Sequence, residues 1–272
     1  MPEKRTLRLW FACGWLGALV FLASGAAWLL LTDPLAVDLG QALRSPSWIH
    51  WVGSDELGRD VLSRLIHAAR STLLVTAGAT ALDILLAAIF GMLAAYRGGL
   101  ADRVLSFAID LFWSVPFVVF VVLIVSIVGV SVATLIVTIG AINWVTAARV
   151  IRAETARLRQ QEFIRAAEAF GFSSGAILRQ HLLPNLRATL LTLTAYSAIE
   201  VLTLETGLAF IGLSLPAPNP TWGGMLADGL NYFSSAWWLV ACPAGAITLT
   251  LFCLLLLARH FEDAEQSRRA AT

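Results

Sequence analysis

Charge is what this chain has least of. Aspartate, glutamate, lysine and arginine make up only 14% of its 272 residues, against roughly a quarter in a soluble globular domain. With 58% of the residues hydrophobic and a mean hydropathy of +0.77, this excludes an ordinary water-soluble enzyme and implies one polytopic membrane domain over 1–272. A net charge of +1 leaves no basic footprint for nucleic acid. Cysteine is equally scarce: Cys13, Cys242 and Cys253 sit in apolar runs without the clustered spacing of a disulfide framework, and read as small buried hydrophobes. Catalytic signatures are missing too. There is no G-x-x-x-x-G-K-[ST] phosphate loop and no H-E-x-x-H pair, and His50, His67, His181 and His260 are scattered. No catalytic residue, no metal ligand and no bound cofactor are expected of the chain itself.

Long apolar runs, in contrast, are abundant. The first, 9–31, follows a basic flank as a secretory signal would, but it exceeds the about 7–15 apolar residues of a signal peptide and continues past the small residues of "ASGAA". It can cross about 30 Å of hydrocarbon and reads as an uncleaved span. The same criterion places five more spans, near 71–96, 104–130, 131–150, 188–213 and 237–258. The predicted fold class is an all-α integral membrane protein of six transmembrane helices, with both termini on one side. Pro116 falls inside the third span and predicts a kink.

Basic residues orient these spans. With the N-terminus inside, fifteen lysines and arginines are cytoplasmic and only Arg44, Arg59, Arg64 and Arg70 lie outside, the asymmetry expected of cytoplasmic termini. Trp48, Trp51, Trp222, Trp237 and Trp238 then fall near the outer interface, where indoles are enriched. Residues 32–70 form the longest extracytoplasmic segment, in which Ser54 predicts the cap of an amphipathic helix lying on the outer face. A second outer segment, "SLPAPNPTWGGMLADGLNYFSSA", predicts an irregular loop.

One polar island interrupts the pattern. Within the cytoplasmic segment 151–187, "EFIRAAEAFGFSSGAILRQHLLPN" predicts two short helices. On a helical wheel Phe163, Ala166, Ala167 and Phe170 share one apolar face, opposite Gln161, Arg165 and Glu168. Gly171 stands where a left-handed C-cap is needed, Ser173 or Ser174 can cap the second helix, and Pro184 is expected to stop it. Two helical turns are unstable alone, so this element either rests on lipid or docks onto a soluble partner.

The stretch resembles the cytoplasmic EAA loop of ATP-binding-cassette importer permeases, with Ala166, Ala167, Gly171, Leu183 and Pro184 at the motif positions and Arg165 where the family has glutamate. "GSDELGRDVLSRLIHAARSTL", "NWVTAARVIR" and "ETGLAFIGLSLPAPNPTWGGMLADG" are similar, in order and spacing, to the C-type subunit of the dipeptide/oligopeptide/nickel permease family. This resemblance implies a type I importer permease fold in the bacterial inner membrane. It implies a second, B-type permease, two ATPases that bind ATP and Mg, and an extracytoplasmic substrate-binding protein. Coupling to the ATPases is implied for Glu162, Phe163, Arg165, Ala166, Ala167, Phe170, Gly171 and Pro184. The implied cargo is a dipeptide or oligopeptide, with nickel or a metal–chelator complex as the alternative; apart from the resemblance, acids inside the spans leave a stand-alone proton-coupled secondary transporter as a remote alternative.

Asp83, Asp110, Glu200 and Glu205 fall within predicted spans without a basic partner at like depth. At a helix centre each costs on the order of 2.5–3.5 kcal/mol. They read either as interhelical hydrogen-bonding groups or as the lining of an acidic path for cationic cargo, with Asp83, Glu200, Glu205 and Trp144 as candidates. An aromatic such as Trp144 more commonly packs.

Overall fold

A computed structural model describes residues 2–25, 33–114, 116–216 and 218–270. Helix α1 is Pro2–Gly25; the predicted remainder of the first span, 26–31, lies outside the described residues. Helix α2, Val61–Arg97, is a single helix of 37 residues, about 55 Å long. Its N-cap is Asp60, whose Oδ2 accepts from the Ser63 N–H at 2.8 Å. The amphipathic helix expected after Ser54 is therefore absent: residues 61–70 are the first turns of α2. Ser54 instead forms an antiparallel bridge with Asp60, accepts from the Arg44 N–H at 2.9 Å and donates to the Gln41 carbonyl.

The expected third span is two helices, α3 (Gly99–Ser114) and α4 (Phe117–Val128). Pro116 is the extended N-cap of α4, at φ −57° and ψ 127°, so the proline separates two short helices instead of kinking one. Helix α5, Val132–Arg159, is capped by Ser131, whose Oγ accepts from the Thr134 N–H at 3.0 Å. It continues beyond the predicted limit at 150 because its polar end is paired: Arg152 binds Asp102 at 2.5 and 2.7 Å, and Arg157 binds Glu154 at 2.6 Å. The Arg152 hydrogen bond holds the Asp102 carboxyl below the usual carboxylate range.

Helix α6 (Glu162–Ala169) and helix α7 (Ser174–Ala176) follow. A π-helical stretch, Ile177–Leu182, then leads without interruption into α8, Leu183–Phe210. Pro184 does not stop the chain: it sits in the first turn of α8, where the missing N–H is tolerated beside a widened turn. The second outer loop is only partly irregular, since it contains α9, Trp222–Leu230, capped by Thr221 Oγ1 accepting from the Gly224 N–H at 3.0 Å. Helix α10, Trp238–Ala270, closes the fold.

Among the described residues, four helices are long and apolar enough to cross a membrane: Thr6–Gly25, Val61–Arg97, Val132–Arg159 and Trp238–Gln266. Helix α8 has the length, 28 residues or about 42 Å, but Glu200, Glu205 and its threonines lower its hydropathy. The α3–α4 pair lacks a single continuous helix.

Helices α2 and α5 run parallel in close contact. Gly78 faces Ile136, Gly140 faces Ala79 and Leu82, and Gly91 faces Ala148 and Ile151, so partners advance together along both helices. A Cβ on Gly140 would stand 2.8 Å from the Ala79 carbonyl; the missing side chain permits the approach. The far part of α10 bonds to α8, through Tyr196 to Glu262 at 3.1 Å and Thr189 to Glu265 at 2.7 Å. The tail therefore acquires a structural partner that its sequence does not announce.

Candidate functional site

One end of the bundle is built around α6. Ile164 and Ala167 are its buried residues and pack with Tyr96, Ile151, Ile177 and Leu182. Phe163 is 42% exposed, Phe170 is 83% exposed, and Ala166 is exposed between them. The apolar stripe read on the wheel thus splits: Ala167 turns inward with Ile164, a residue the wheel reading passed over, and the phenylalanines with Ala166 form an uncovered face. Glu162 occupies the first turn, where negative charge complements the helix dipole. Arg165 is exposed and has no side-chain partner among the described residues.

The turn after α6 is tightly specified. Gly171 has φ +79°, its N–H bonds to the Glu168 carbonyl at 3.0 Å, and the Phe172 N–H reaches back to the Ala167 carbonyl at 3.1 Å. This is a Schellman motif, which favours glycine at that left-handed position. Ser173 Oγ then caps α7, accepting from the Ala176 N–H at 3.3 Å. In the π-helical stretch the Leu183 N–H bonds to the Leu178 carbonyl. Phe172 meets the His181 ring edge-on with centroids 5.6 Å apart. A π-turn is uncommon and clusters at functional sites; here it joins the α6 turn to α8.

The intramembrane acids divide into three groups. Asp83, 1% exposed, accepts from Asn143 Nδ2 at 2.8 Å and from Ser197 Oγ. The same Asn143 amide reaches Glu200 at 3.2 Å, so one side chain of α5 ties a carboxyl of α2 to one of α8. Asn143 and Ser197 went unremarked in the sequence, although Asn143 stands immediately before the candidate Trp144. Trp144 itself is buried, 5.1 Å from the Phe90 ring between centroids, in a packed layer of α2 and α5. Asp110, read as lacking a basic partner, pairs with Arg149 at 2.8 Å. Glu205, 2% exposed, stands apart from the Asn143 network. Its carboxyl lies beside Thr221, without a hydrogen bond of normal geometry to either oxygen among the described residues. A Cβ on Gly223 would lie 3.2 Å from its Oε2, so the carboxyl overlies the first turn of α9, where the helix dipole favours negative charge.

The other end of α2 carries the segment before Val61. Asp55 is its hub: its Oδ1 accepts from the Leu57 and Arg59 N–H groups at 2.9 Å, and its Oδ2 from Arg59 Nε at 2.7 Å and from Arg64. Two of the tryptophans expected at an aqueous interface are buried here instead. Trp222 donates to the Leu65 carbonyl at 3.0 Å and Trp238 to the Ser54 carbonyl at 3.1 Å. Trp48, Trp51 and Trp237 are exposed.

Long apolar helices around a buried polar seam, with an amphipathic helix left uncovered at one end, mark an integral membrane protein. Residues 87–265 match the family described as binding-protein-dependent transport system inner membrane component, and the chain belongs to that family. It is similar to the dipeptide transport system permease protein DppC of Bacillus subtilis (strain 168), 34% identical over 220 residues, which cover 80% of this chain and 69% of that protein. It is 30% identical over 232 residues to the oligopeptide transport system permease protein OppC of the same organism, covering 85% and 76% of the two chains. The OppC protein of Escherichia coli (strain K12) is 33% identical over 215 residues, covering 79% and 71%. The resemblance to C-type subunits of peptide importers therefore holds, and the chain is an integral inner-membrane protein of the ATP-binding-cassette importer class.

Proposed function

We propose that this chain is one of two membrane-spanning subunits of an ATP-driven importer of dipeptides or oligopeptides, crossing the membrane six times with both termini cytoplasmic. The observation that carries this reading is the uncovered face of Phe163, Ala166 and Phe170 on a helix otherwise pinned by Ile164 and Ala167. An apolar face left open beside a locked turn suits a soluble partner that moves, here an ATPase of the complex. Glu162, Arg165, Gly171 and Pro184 belong to the same element, Arg165 offering its unpaired charge to that partner. The names of the relatives speak for peptides over nickel or a metal–chelator complex.

In this mechanism two ATPases bind ATP and Mg and close on each other, each carrying a coupling helix with it. The Schellman turn and the π-helical stretch transmit the displacement of α6 to α8, and the pathway shared with a B-type permease alternates between outward- and inward-open states. A substrate-binding protein delivers the cargo outside. Asp83, Glu200 and Glu205 are the acidic groups, and Trp144 the aromatic one, that such a path would meet in the state that opens it. The test is Phe163→Asp in the assembled transporter. ATP-driven dipeptide uptake should be abolished while the chain still inserts and melts normally, because the residue contacts solvent; unchanged uptake would sink the assignment.

A further inference from the structure

A cavity of about 280 Å³ opens at the α9 end, between the segment before α2 and the loop leading into α9. Its walls include Arg59, Arg64, Ser214, Asn219, Thr221 and Asp228. Ala209, also in the wall, lies one helical turn beyond Glu205 on α8, so the cavity adjoins the buried carboxyl on that helix.

The charges of this cavity are unequally spent. Arg59 uses Nε on Asp55 and Nη2 on Glu56, and Arg64 uses Nη1 on Asp55. A guanidinium has five N–H donors, so each retains donors without a partner among the described residues. Asp55, 2% exposed at its side chain, fixes both guanidinium groups in place before any ligand arrives. Asp228 is different: it is exposed, and its carboxylate has no partner among the described residues. Two arginines already balanced by Asp55 and Glu56, beside an uncompensated aspartate, give a simple anion little net attraction. A molecule carrying both charges satisfies both walls. Its carboxylate takes the free guanidinium donors in the geometry arginine favours, and its ammonium takes Asp228. The size lies near the lower edge of ligand pockets, about 300–1,000 Å³, and admits a dipeptide or the end of a longer peptide.

We propose that this cavity is a subsite for the zwitterionic end groups of a short peptide, Arg59 and Arg64 receiving the carboxylate and Asp228 the ammonium. The proposal rests on the peptide-importer reading and adds a site to it. Titrating dialanine into the assembled transporter in lipid nanodiscs, without the substrate-binding protein, tests it. Saturable binding is expected, weakened about tenfold by Asp228→Asn, the worth of one charge-assisted hydrogen bond. N-acetyl-dialanine, which lacks the ammonium, should bind weakly and equally to both forms. No saturable binding, an Asp228→Asn curve superimposable on the unsubstituted one, or inorganic phosphate competing as well as dialanine would each overturn the subsite. Uptake of dialanine by the complete system, measured alongside, separates the two readings: uptake without binding removes only the subsite, and no uptake removes the peptide-importer function with it.

Discussion

The two ends of α2 handle exposed surface in opposite ways. At the Val61 end the anchoring contacts are internal: Asp55 holds Arg59 and Arg64 in place around the cavity, and the buried indoles of Trp222 and Trp238 donate to backbone carbonyls. At the Arg97 end, α6 is tethered by two buried residues and presents its phenylalanines outward. An end whose groups are spent on itself keeps its shape without help. Exposed aromatics occur at both ends, Trp48 and Trp51 at the first and Phe163 and Phe170 at the second, but only at the second do they sit on a short helix held by two buried side chains. The difference is what the proposed mechanism requires of a fixed outer mouth and a lever coupled to an ATPase.

Substitutions at the two ends should therefore fail differently. The largest loss of stability is expected from Asp55→Asn, which leaves the nearly buried Arg59 with Glu56 alone and the nearly buried Arg64 without a carboxylate partner among the described residues; breaking a buried pair in this way costs about 3–5 kcal/mol. Thermal unfolding of the purified chain in detergent would read it, and an unchanged melting temperature would end the idea of a rigid hub. Gly171→Leu should cost less, about 1–2 kcal/mol for a left-handed backbone, because a Cβ at that position meets nothing within 4 Å. Its signature is local: faster amide hydrogen exchange across 162–182 and uncoupled uptake, with exchange in the 53–64 segment unaltered. Comparable changes at both ends would erase the distinction drawn here.

The smallest effect is expected at the partly exposed Asp102–Arg152 pair, where Asp102→Asn should cost at most about 1 kcal/mol. The pair also sets a pH dependence. Its folded-state carboxyl titrates below the usual value, so its stabilisation is present above about pH 4 and is lost as pH falls through the lower folded value. Acid unfolding curves of the Asp102→Asn chain should thus converge with those of the unsubstituted chain below that range. Curves that stay parallel would assign the pair no role in acid stability.

Several features were legible before any coordinates. Gly171 was readable because a left-handed residue after an amphipathic run has few alternatives. Local signals misled where a neighbour in space supplied the deciding bond. Asp60, not Ser54, caps α2 because Ser54 is engaged with Arg44 and Gln41. Helix α5 outruns its apolar stretch because Asp102 receives Arg152. Trp222 and Trp238 leave the interface because carbonyls of the outer segment accept their N–H groups. Each partner lies far away in the chain or in a turn that periodicity does not describe.

By itself the sequence determined the solvent and the family: too few charges for water, apolar runs long enough for lipid, and four ordered motifs of an importer permease. Those properties are additive along the chain, so they survive without a fold. Only the tertiary structure decided which groups meet. It brought Asp83 and Glu200 to one Asn143 amide, gave Asp110 to Arg149, set Glu205 over the start of α9, and divided the stripe of α6 into a held face and an open one. Hydrogen bonds and packing act over a few ångströms between residues dozens of positions apart, and that proximity exists only once the helices have packed.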